Sequence, residues 1–322
     1  MRVLVTGAFG NIGASSVREL RRQGHQVRAF GRPSRANRRV AASLGPQVEL
    51  RWGNVRDPSA VARAVEGQDA VVHMAYILPP DADEHPTLAE AVNVGGTRNV
   101  IEAARAQPTP PRLLFASTFD IFGFTQDHPP PRRVTDPVTA TDAYTRHKIE
   151  GERMVRASGL TWTIFRFADV PPLAMRSPHP IMFRIPLQTR FEVLHTEDAG
   201  LAVANALASD AVWGRVWLIG GGPSCQVHYR DYLGRMLDVM GIGRLPETAF
   251  GDKPYSTDWI DTAESEALLR YQRHSFEQII GDVAAALGWQ RRLIPLVRPL
   301  ARRWILRMSP YYAKAREPAR HP

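Results

Sequence analysis

Residues 2–13 read Arg2-Val3-Leu4-Val5-Thr6-Gly7-Ala8-Phe9-Gly10-Asn11-Ile12-Gly13, a short apolar run that meets three glycines and passes directly into a helical pattern. The apolar run is a buried strand, and glycines placed straight after it let the backbone turn and approach a pyrophosphate. The helix predicted over about 11–23 aims its free N–H groups and the positive end of its dipole at the same place. This run is expected to belong to a parallel sheet with a phosphate site at the carboxyl end of its first strand; a glycine turn can also simply end a strand, and the rest of the chain decides between the two. The spacing is Gly-x-x-Gly-x-x-Gly rather than the commoner Gly-x-Gly-x-x-Gly.

The remaining pattern continues that architecture. Short apolar runs predict strands at about 2–6, 26–30, 48–52, 69–74, 112–117, 161–166 and 215–219, and longer amphipathic stretches between and beyond them predict helices at 11–23, 58–66, 86–107, 141–158, 197–209, 228–240 and 275–287. The expected fold is α/β, a doubly wound parallel sheet with a small C-terminal substrate-binding lobe. We assign 1–166, with a return segment at about 193–219, to the dinucleotide-binding unit, and 167–192 with 220–260 to the lobe. Helices follow at 261–288 and a basic tail at 289–322. With 44% apolar residues among 322, the chain has enough material for a substantial core.

Lysine is scarce, three among 41 basic residues, yet Lys148 stands four residues after Tyr144 in a stretch that reads as helix. Positions i and i+4 share a helix face, so the ammonium can lie beside the phenol and lower its pKa from the usual value of about 10. Together with Thr6-Gly7-x-x-Gly10-x-x-Gly13, Asn93-Val94-Gly95-Gly96-Thr97, Ser117-Thr118 and Phe122-Gly123, this pair resembles the extended short-chain dehydrogenase/reductase family, also called the NAD-dependent epimerase/dehydratase family. Gly53-Asn54-Val55-Arg56-Asp57, Val72-His73-Met74-Ala75, Arg166 and His195-x-x-Asp198 extend the match, which covers about 1–288.

The resemblance implies a Rossmann fold, hydride chemistry and a set of roles. Tyr144 is the acid that protonates the reacting oxygen. Thr118, five residues before Gly123, takes the position of the family's Ser/Thr hydroxyl and bonds the same oxygen, and Lys148 tunes Tyr144 and holds the cofactor ribose. Asn93 positions the lysine or a relay water. The dinucleotide would be lined by Gly7, Phe9, Gly10, Asn11, Ile12, Gly13, Gly31, Arg32, Arg35, Asn54, Val55, Met74, Ala75, Tyr76, Asn93, Tyr144, Lys148, Phe167 and Val170. A homodimer through the helices at 86–107 and 141–158 is also implied.

The end of the second strand bears on the cofactor. An acid there would bond the ribose 2′-OH of NAD, whereas this chain gives Gly31-Arg32-Pro33-Ser34-Arg35. Two guanidinium groups in place of an acid favour the 2′-phosphate of NADP, with NAD as second choice.

Family members that act on nucleotide-activated sugars often carry an arginine four residues before the histidine of His-x-x-Asp, and here that position is Phe191. Arg190, Arg176 and Arg184 lie nearby, so a phosphate clamp is weakened rather than removed. Leu78, Thr118, Phe119, Phe124, Asp169, Met175, Met182, Phe183 and Phe191 are the expected substrate contacts. This mostly apolar set suits a ketone, aldehyde or secondary alcohol on a hydrophobic skeleton. Three readings follow: an NADPH-dependent oxidoreductase for a small or medium apolar substrate; a nucleotide-sugar epimerase or dehydratase with transient cofactor reduction; and a non-catalytic NADP-binding sensor.

Single Cys225 excludes an internal disulfide, and no metal site is expected, with His73 and His195 read as packing or hydrogen-bonding residues. The chain start shows no secretory pattern, so a cytoplasmic location is expected. Much of the net charge of +9 sits where Arg291, Arg292, Arg298, Arg302, Arg303 and Arg307 alternate with Leu293, Leu296, Leu300, Trp304 and Met308. That basic amphipathic tail, interrupted by Pro295 and Pro299, either packs on its own lobe or a partner subunit, or makes peripheral membrane contact. No nucleic-acid recognition motif is present.

Overall fold

The computed structural model describes residues 1–174, 178–289 and 294–312. Met175, Arg176, Arg291, Arg292 and Leu293 lie outside the described residues.

Strands β1 (Arg2–Thr6), β2 (Gln26–Gly31), β3 (Glu49–Trp52), β4 (Ala70–His73), β5 (Arg112–Thr118) and β6 (Trp162–Phe167) alternate with helices α1 (Asn11–Arg22), α2 (Arg35–Ser43), α3 (Pro58–Val65), α4 (Asp81–Glu84), α5 (Pro86–Glu90), α6 (Gly96–Arg105) and α7 (Ala143–Arg156). Next come β7 (Arg190–Glu192), α8 (Thr196–Leu207), β8 (Val216–Ile219), β9 (Gln226–His228), α9 (Tyr229–Val239), α10 (Ala263–Leu269), α11 (Phe276–Leu287) and a helix at Arg298–Arg307. The main sheet runs β3-β2-β1-β4-β5-β6-β8 and every pairing in it is parallel. This is the doubly wound order, whose reversal between β1 and β4 opens a crevice above the strand ends.

Alternation along each strand builds two cores. Val3 and Val5 of β1 point toward α1 and α8 with Val17, Leu20, Ala199 and Val203, while Leu4 points toward α3, α6 and α7 with Val61, Val100 and Val155. A third cluster fills the lobe, where Phe183, Phe191, Tyr229, Leu233, Val283 and Ile305 come from segments far apart in sequence. β7 and β9 form a two-stranded antiparallel ribbon at its root.

Three features differ from the sequence expectation. The helix expected over 86–107 is interrupted by a π-helical turn at Ala91–Gly95. There the buried Asn93 side chain turns to clamp the backbone of Ile77, and Gly96 rests so close to Val55 that a Cβ would sit 2.8 Å from Val55 Cγ2. Helix α2 was not foreseen, because Arg35, Arg38 and Arg39 leave it one fully buried side chain, Ala41; its start is fixed instead by the Ser34 hydroxyl accepting from Asn37 N–H. The strands β7 and β9 are three residues each, too short for a period to register.

Helix α7 is tied to the sheet by charge. Glu152 takes two hydrogen bonds from Arg166 on β6, at 2.9 and 2.8 Å, and a third from the Ser117 hydroxyl at 2.7 Å, with all three residues buried. Removing one partner of such a pair leaves an uncompensated buried charge. Glu152→Ala is expected to cost about 3–5 kcal/mol in urea unfolding, whereas Glu150→Ala on the exposed side of the same helix should cost less than about 1 kcal/mol.

Candidate active site

A cleft of about 890 Å³ runs from the first glycine turn across the carboxyl ends of the strands into the lobe. At its start Gly7 has φ +69°, and a Cβ there would lie 2.8 Å from Ala75 N and from the Met74 carbonyl. A Cβ on Gly13 would lie 2.2 Å from the Gly7 carbonyl oxygen. Gly10 instead faces the opening and is the N-cap of α1, which no side chain caps and whose first turn has no acid. The bare helix N-terminus therefore points into a concave space that only glycines leave open, which fits a dinucleotide pyrophosphate. Thr6 Oγ1 accepts from Met74 and Ala75 N–H and bonds His73 Nδ1 at 2.7 Å, joining the ends of β1 and β4 under that space. Burial pushes the His73 imidazole down to about 3, so it acts here as a neutral hydrogen-bonding residue.

Of the expected cofactor contacts, Phe9, Asn11, Ile12, Gly31, Arg32, Asn54, Val55, Met74, Ala75, Tyr76, Tyr144, Lys148, Phe167 and Val170 line the cleft with the three glycines. Arg35 does not; it starts α2, and the basic residues lining this end are Arg32, beside Asn37, and Arg56. Phe9 stacks on Trp52 at 4.8 Å and covers Gly31, where a Cβ would meet its ring at 2.8 Å. Asn11 Nδ2 donates to the Val170 carbonyl and pins the β6 exit loop to the helix that would hold phosphate.

Tyr144, Lys148 and Thr118 meet in the middle of the cleft. Lys148 is 3% exposed; its Nζ donates to the Ala116 carbonyl at 2.6 Å and lies 3.4 Å from the centre of the Tyr76 ring. Burial pushes its pKa down to about 7, against the pull of Glu152 and Asp120. The expected lowering of Tyr144 by Lys148 is not what the geometry gives. Burial raises Tyr144 well above its usual value, Asp120 adds to the rise, and only a hydrogen bond with Thr118 opposes it. The lysine charge is spent on a carbonyl and on the face of Tyr76, 5.7 Å from the Tyr144 ring centre. Tyr144 is thus held as a protonated donor.

The structure also separates the two adjacent hydroxyls: Ser117 serves Glu152, while Thr118 donates to Asp120 Oδ2 at 3.0 Å. Asn93 stands apart from the cleft. Its amide accepts from Ile77 N–H at 2.7 Å and donates to the Ile77 carbonyl at 3.0 Å, so it shapes the loop after β4 without touching Lys148.

Asp120 is the site residue that the sequence reading missed. It lines the cleft, and burial pushes its carboxyl up to about 7. Its only signal was an acid two residues after a hydroxyl at a strand end. Among the expected substrate contacts, Leu78, Phe119, Asp169, Met182 and Phe191 line the cleft. Phe124 does not: it is exposed on a separate small hollow with His128 and Pro137. Phe183 is fully buried against Phe250 in the lobe core. Tyr255 and Thr257, the latter with a buried hydroxyl that has no protein partner, face the same space from the lobe.

His195, Glu197 and His274 bring ligating atoms within 4.8 Å of one another, and the two rings stack at 3.9 Å. For His195 the hydrogen bonds assign the proton against metal binding, whereas His274 Nδ1 bonds Asp198 Oδ1 at 2.6 Å. His195 Nδ1 accepts from Glu197 N–H, which leaves its proton on Nε2, 3.3 Å from Asp282.

Residues 3–170 match the NAD dependent epimerase/dehydratase family, and the chain belongs to it, within the extended short-chain dehydrogenases/reductases. It is 33% identical over 164 residues to a 3 beta-hydroxysteroid dehydrogenase/Delta 5-->4-isomerase of Mycobacterium tuberculosis, an alignment that takes in 48% of this chain and 42% of that protein. It is 27% identical over 331 residues to a dTDP-glucose 4,6-dehydratase of Mycolicibacterium smegmatis, covering 93% of this chain and 96% of that one. Among solved structures, the UDP-glucose 4-epimerase of Thermus thermophilus in complex with NAD superposes with a TM-score of 0.73 at 23% identity, covering 89% of this chain and 99% of the other. That likeness concerns the fold.

A raised acid binds its proton more tightly in the folded chain than in the unfolded one. Its stabilising share is present below the ordinary carboxylate range and is lost as pH rises through the folded pKa, about 7 for Asp120. Between those limits the melting temperature of the cofactor-free protein should fall more steeply with pH than that of Asp120→Asn. Parallel curves would remove Asp120 as a titrating group of the site.

Proposed function

We propose that this chain is an NADPH-dependent oxidoreductase that moves hydride between the cofactor and a carbonyl or secondary alcohol on an apolar skeleton. The observation that carries the substrate class is the fate of Arg190. Both edges of its guanidinium are engaged within the chain, to Asp258 at 2.6 and 3.0 Å and to the carbonyls of Thr125, Gln126 and His128. Arg184 is exposed and does not line the cleft. Among the described residues, the arginines lining the cleft are Arg32 and Arg56, at the end where the nucleotide would lie. The lobe side presents Leu233, Met236, Leu237, Met240 and Ile242 instead. A sugar diphosphate would bring two charges into that wall with no cation to meet them, whereas an apolar skeleton loses only its hydration there. The relatives carry both steroid and nucleotide-sugar names; the wall favours the former kind of substrate.

A bound nicotinamide dinucleotide supplies the hydride. Glycines 7, 10 and 13 and the α1 N-terminus would hold its pyrophosphate, and Arg32 its 2′-phosphate. Tyr144, kept protonated by burial, donates a proton to the reacting oxygen as negative charge develops there. Thr118 orients the phenol, and Lys148 orients the cofactor ribose. We also propose a homodimer packed through the faces of α6 and α7.

The partly buried Asp120 favours a second reading. A carboxyl with a pKa of about 7 next to Tyr144 can take a proton from the carbon beside a newly formed carbonyl, as the elimination of water by a dehydratase requires. Following reduced-nicotinamide absorbance separates the readings. The first expects steady consumption of NADPH with apolar ketones, reduced roughly 10²–10⁴-fold in Tyr144→Phe and strongly in Lys148→Ala. Product from nucleotide sugars without net consumption would support the second, and full function in Tyr144→Phe would leave a cofactor-binding sensor. Arg32→Ala should weaken NADPH binding about tenfold or more while leaving NADH little changed; equal effects on both would refute the 2′-phosphate assignment.

A further inference from the structure

We propose that the Arg298–Arg307 helix seats the protein on an anionic phospholipid surface and that the apolar end of the cleft opens beneath it, so that a lipid-soluble substrate enters from the bilayer. The substrate part rests on the oxidoreductase reading above; the docking part does not.

The helix has two unlike sides. Its inner side belongs to the lobe: Ile305 is 1% exposed, and Arg302 Nη1 donates to the carbonyls of Ile242, Gly243 and Arg244 at 2.8–3.0 Å. Its outer side shows Leu300 at 71% and Trp304 at 53% exposure, with Val297 half exposed one turn before. Positions 297, 300 and 304 follow helical spacing and form one apolar stripe. Arg303 and Arg307, both exposed, stand three and seven residues after Leu300 and border that stripe. An apolar stripe with a tryptophan, flanked by arginines, fits the boundary between acyl chains and anionic headgroups. None of the helices among the described residues is long and apolar enough to cross a membrane, so the contact is with the surface.

Continuity with the site carries the argument further. Val297, Ala301, Trp304 and Ile305 line the same cleft as Tyr144 and Lys148. Trp304 therefore stands on the rim, with one part in the cleft wall and another in the exposed stripe. The α9 residues Leu233, Met236 and Leu237 line the same cleft and share one apolar cluster with Ile305. An apolar molecule leaving a bilayer at the stripe would meet these apolar side chains, and the arginines would remain at the headgroups.

The test uses the full-length chain without cofactor, sedimented with phosphatidylglycerol vesicles or with phosphatidylcholine vesicles. Leu300→Asp and the double variant Arg303→Glu/Arg307→Glu are compared with wild type; these positions are exposed and outside the cleft lining, and thermal unfolding checks that each variant is folded. Wild type is expected to bind the anionic vesicles at least tenfold more tightly than the neutral ones, and both variants to lose roughly tenfold or more of that binding. Turnover of a small water-soluble ketone should be unchanged in the variants while turnover of an apolar ketone delivered in anionic vesicles falls. Absence of wild-type binding, or equal binding to both vesicle types with the charge variant unaffected, would overturn the proposal. So would conversion of a dimer to a monomer by Leu300→Asp, since the stripe would then belong to a second copy. Vesicle binding needs no catalysis, so failure of the oxidoreductase reading and failure of the docking reading are seen in different measurements.

Discussion

Helix α7 comes close to strand β5 because Gly151 has no side chain. A Cβ there would lie 2.6 Å from the Phe115 ring and 2.7 Å from the Tyr76 hydroxyl. At that separation the stripe Tyr144, Lys148 and Glu152, each four residues from the last, is pressed into the sheet and every polar group on it must find a partner. Glu152 finds Arg166 and Ser117, and Lys148 finds the Ala116 carbonyl and the Tyr76 face. Tyr144, at the open end of the stripe, is left with the cleft and Thr118. The same approach that fixes the helix thus sets the protonation of its side chains: burial moves the lysine down and the phenol up.

That outcome explains why the chemistry was only partly legible in the sequence. Tyr144-x-x-x-Lys148 names two side chains on one helix face, and from that alone the ammonium should acidify the phenol. Spacing along a helix does not say what lies opposite, and here it is a strand-end carbonyl and an aromatic ring. Asp120 was hidden for a related reason. An acid beside a turn ordinarily reads as a solvated cap, and only the folding of α7 and the lobe over the end of β5 takes it partly out of water. Arg190 shows the converse, since a guanidinium near a substrate lobe suggests a phosphate clamp until Asp258, 68 residues on, is seen to hold it.

The sheet was far more legible, because five of its seven strands, β1, β4, β5, β6 and β8, are buried almost throughout and read as nearly continuous apolar runs. Segments stabilised by single polar contacts carried no such pattern. The π turn at Ala91–Gly95 depends on the Asn93 clamp, and α2 on the Ser34 cap. Phe124 and Phe183 were indistinguishable by residue type, yet one is on the surface and the other in the lobe core; which way a side chain faces in an irregular segment is decided by tertiary contacts.

The lobe itself is incomplete without the helix at Arg298–Arg307. Arg302 gathers three carbonyls from the turn after α9, groups that would otherwise need water at the edge of an apolar cavity. Ile305 closes the core formed by α9 and α11. The cleft therefore grades from glycine backbone and Arg32, through the titratable Tyr144, Lys148 and Asp120, to a wall that is aliphatic and aromatic. Under the proposed oxidoreductase reading, a molecule matched to this gradient would carry one polar, reacting group at the end of an apolar body. The gradient would orient it, because turning it around would set the polar group against Leu237 and Ile242 and away from Tyr144 and Lys148.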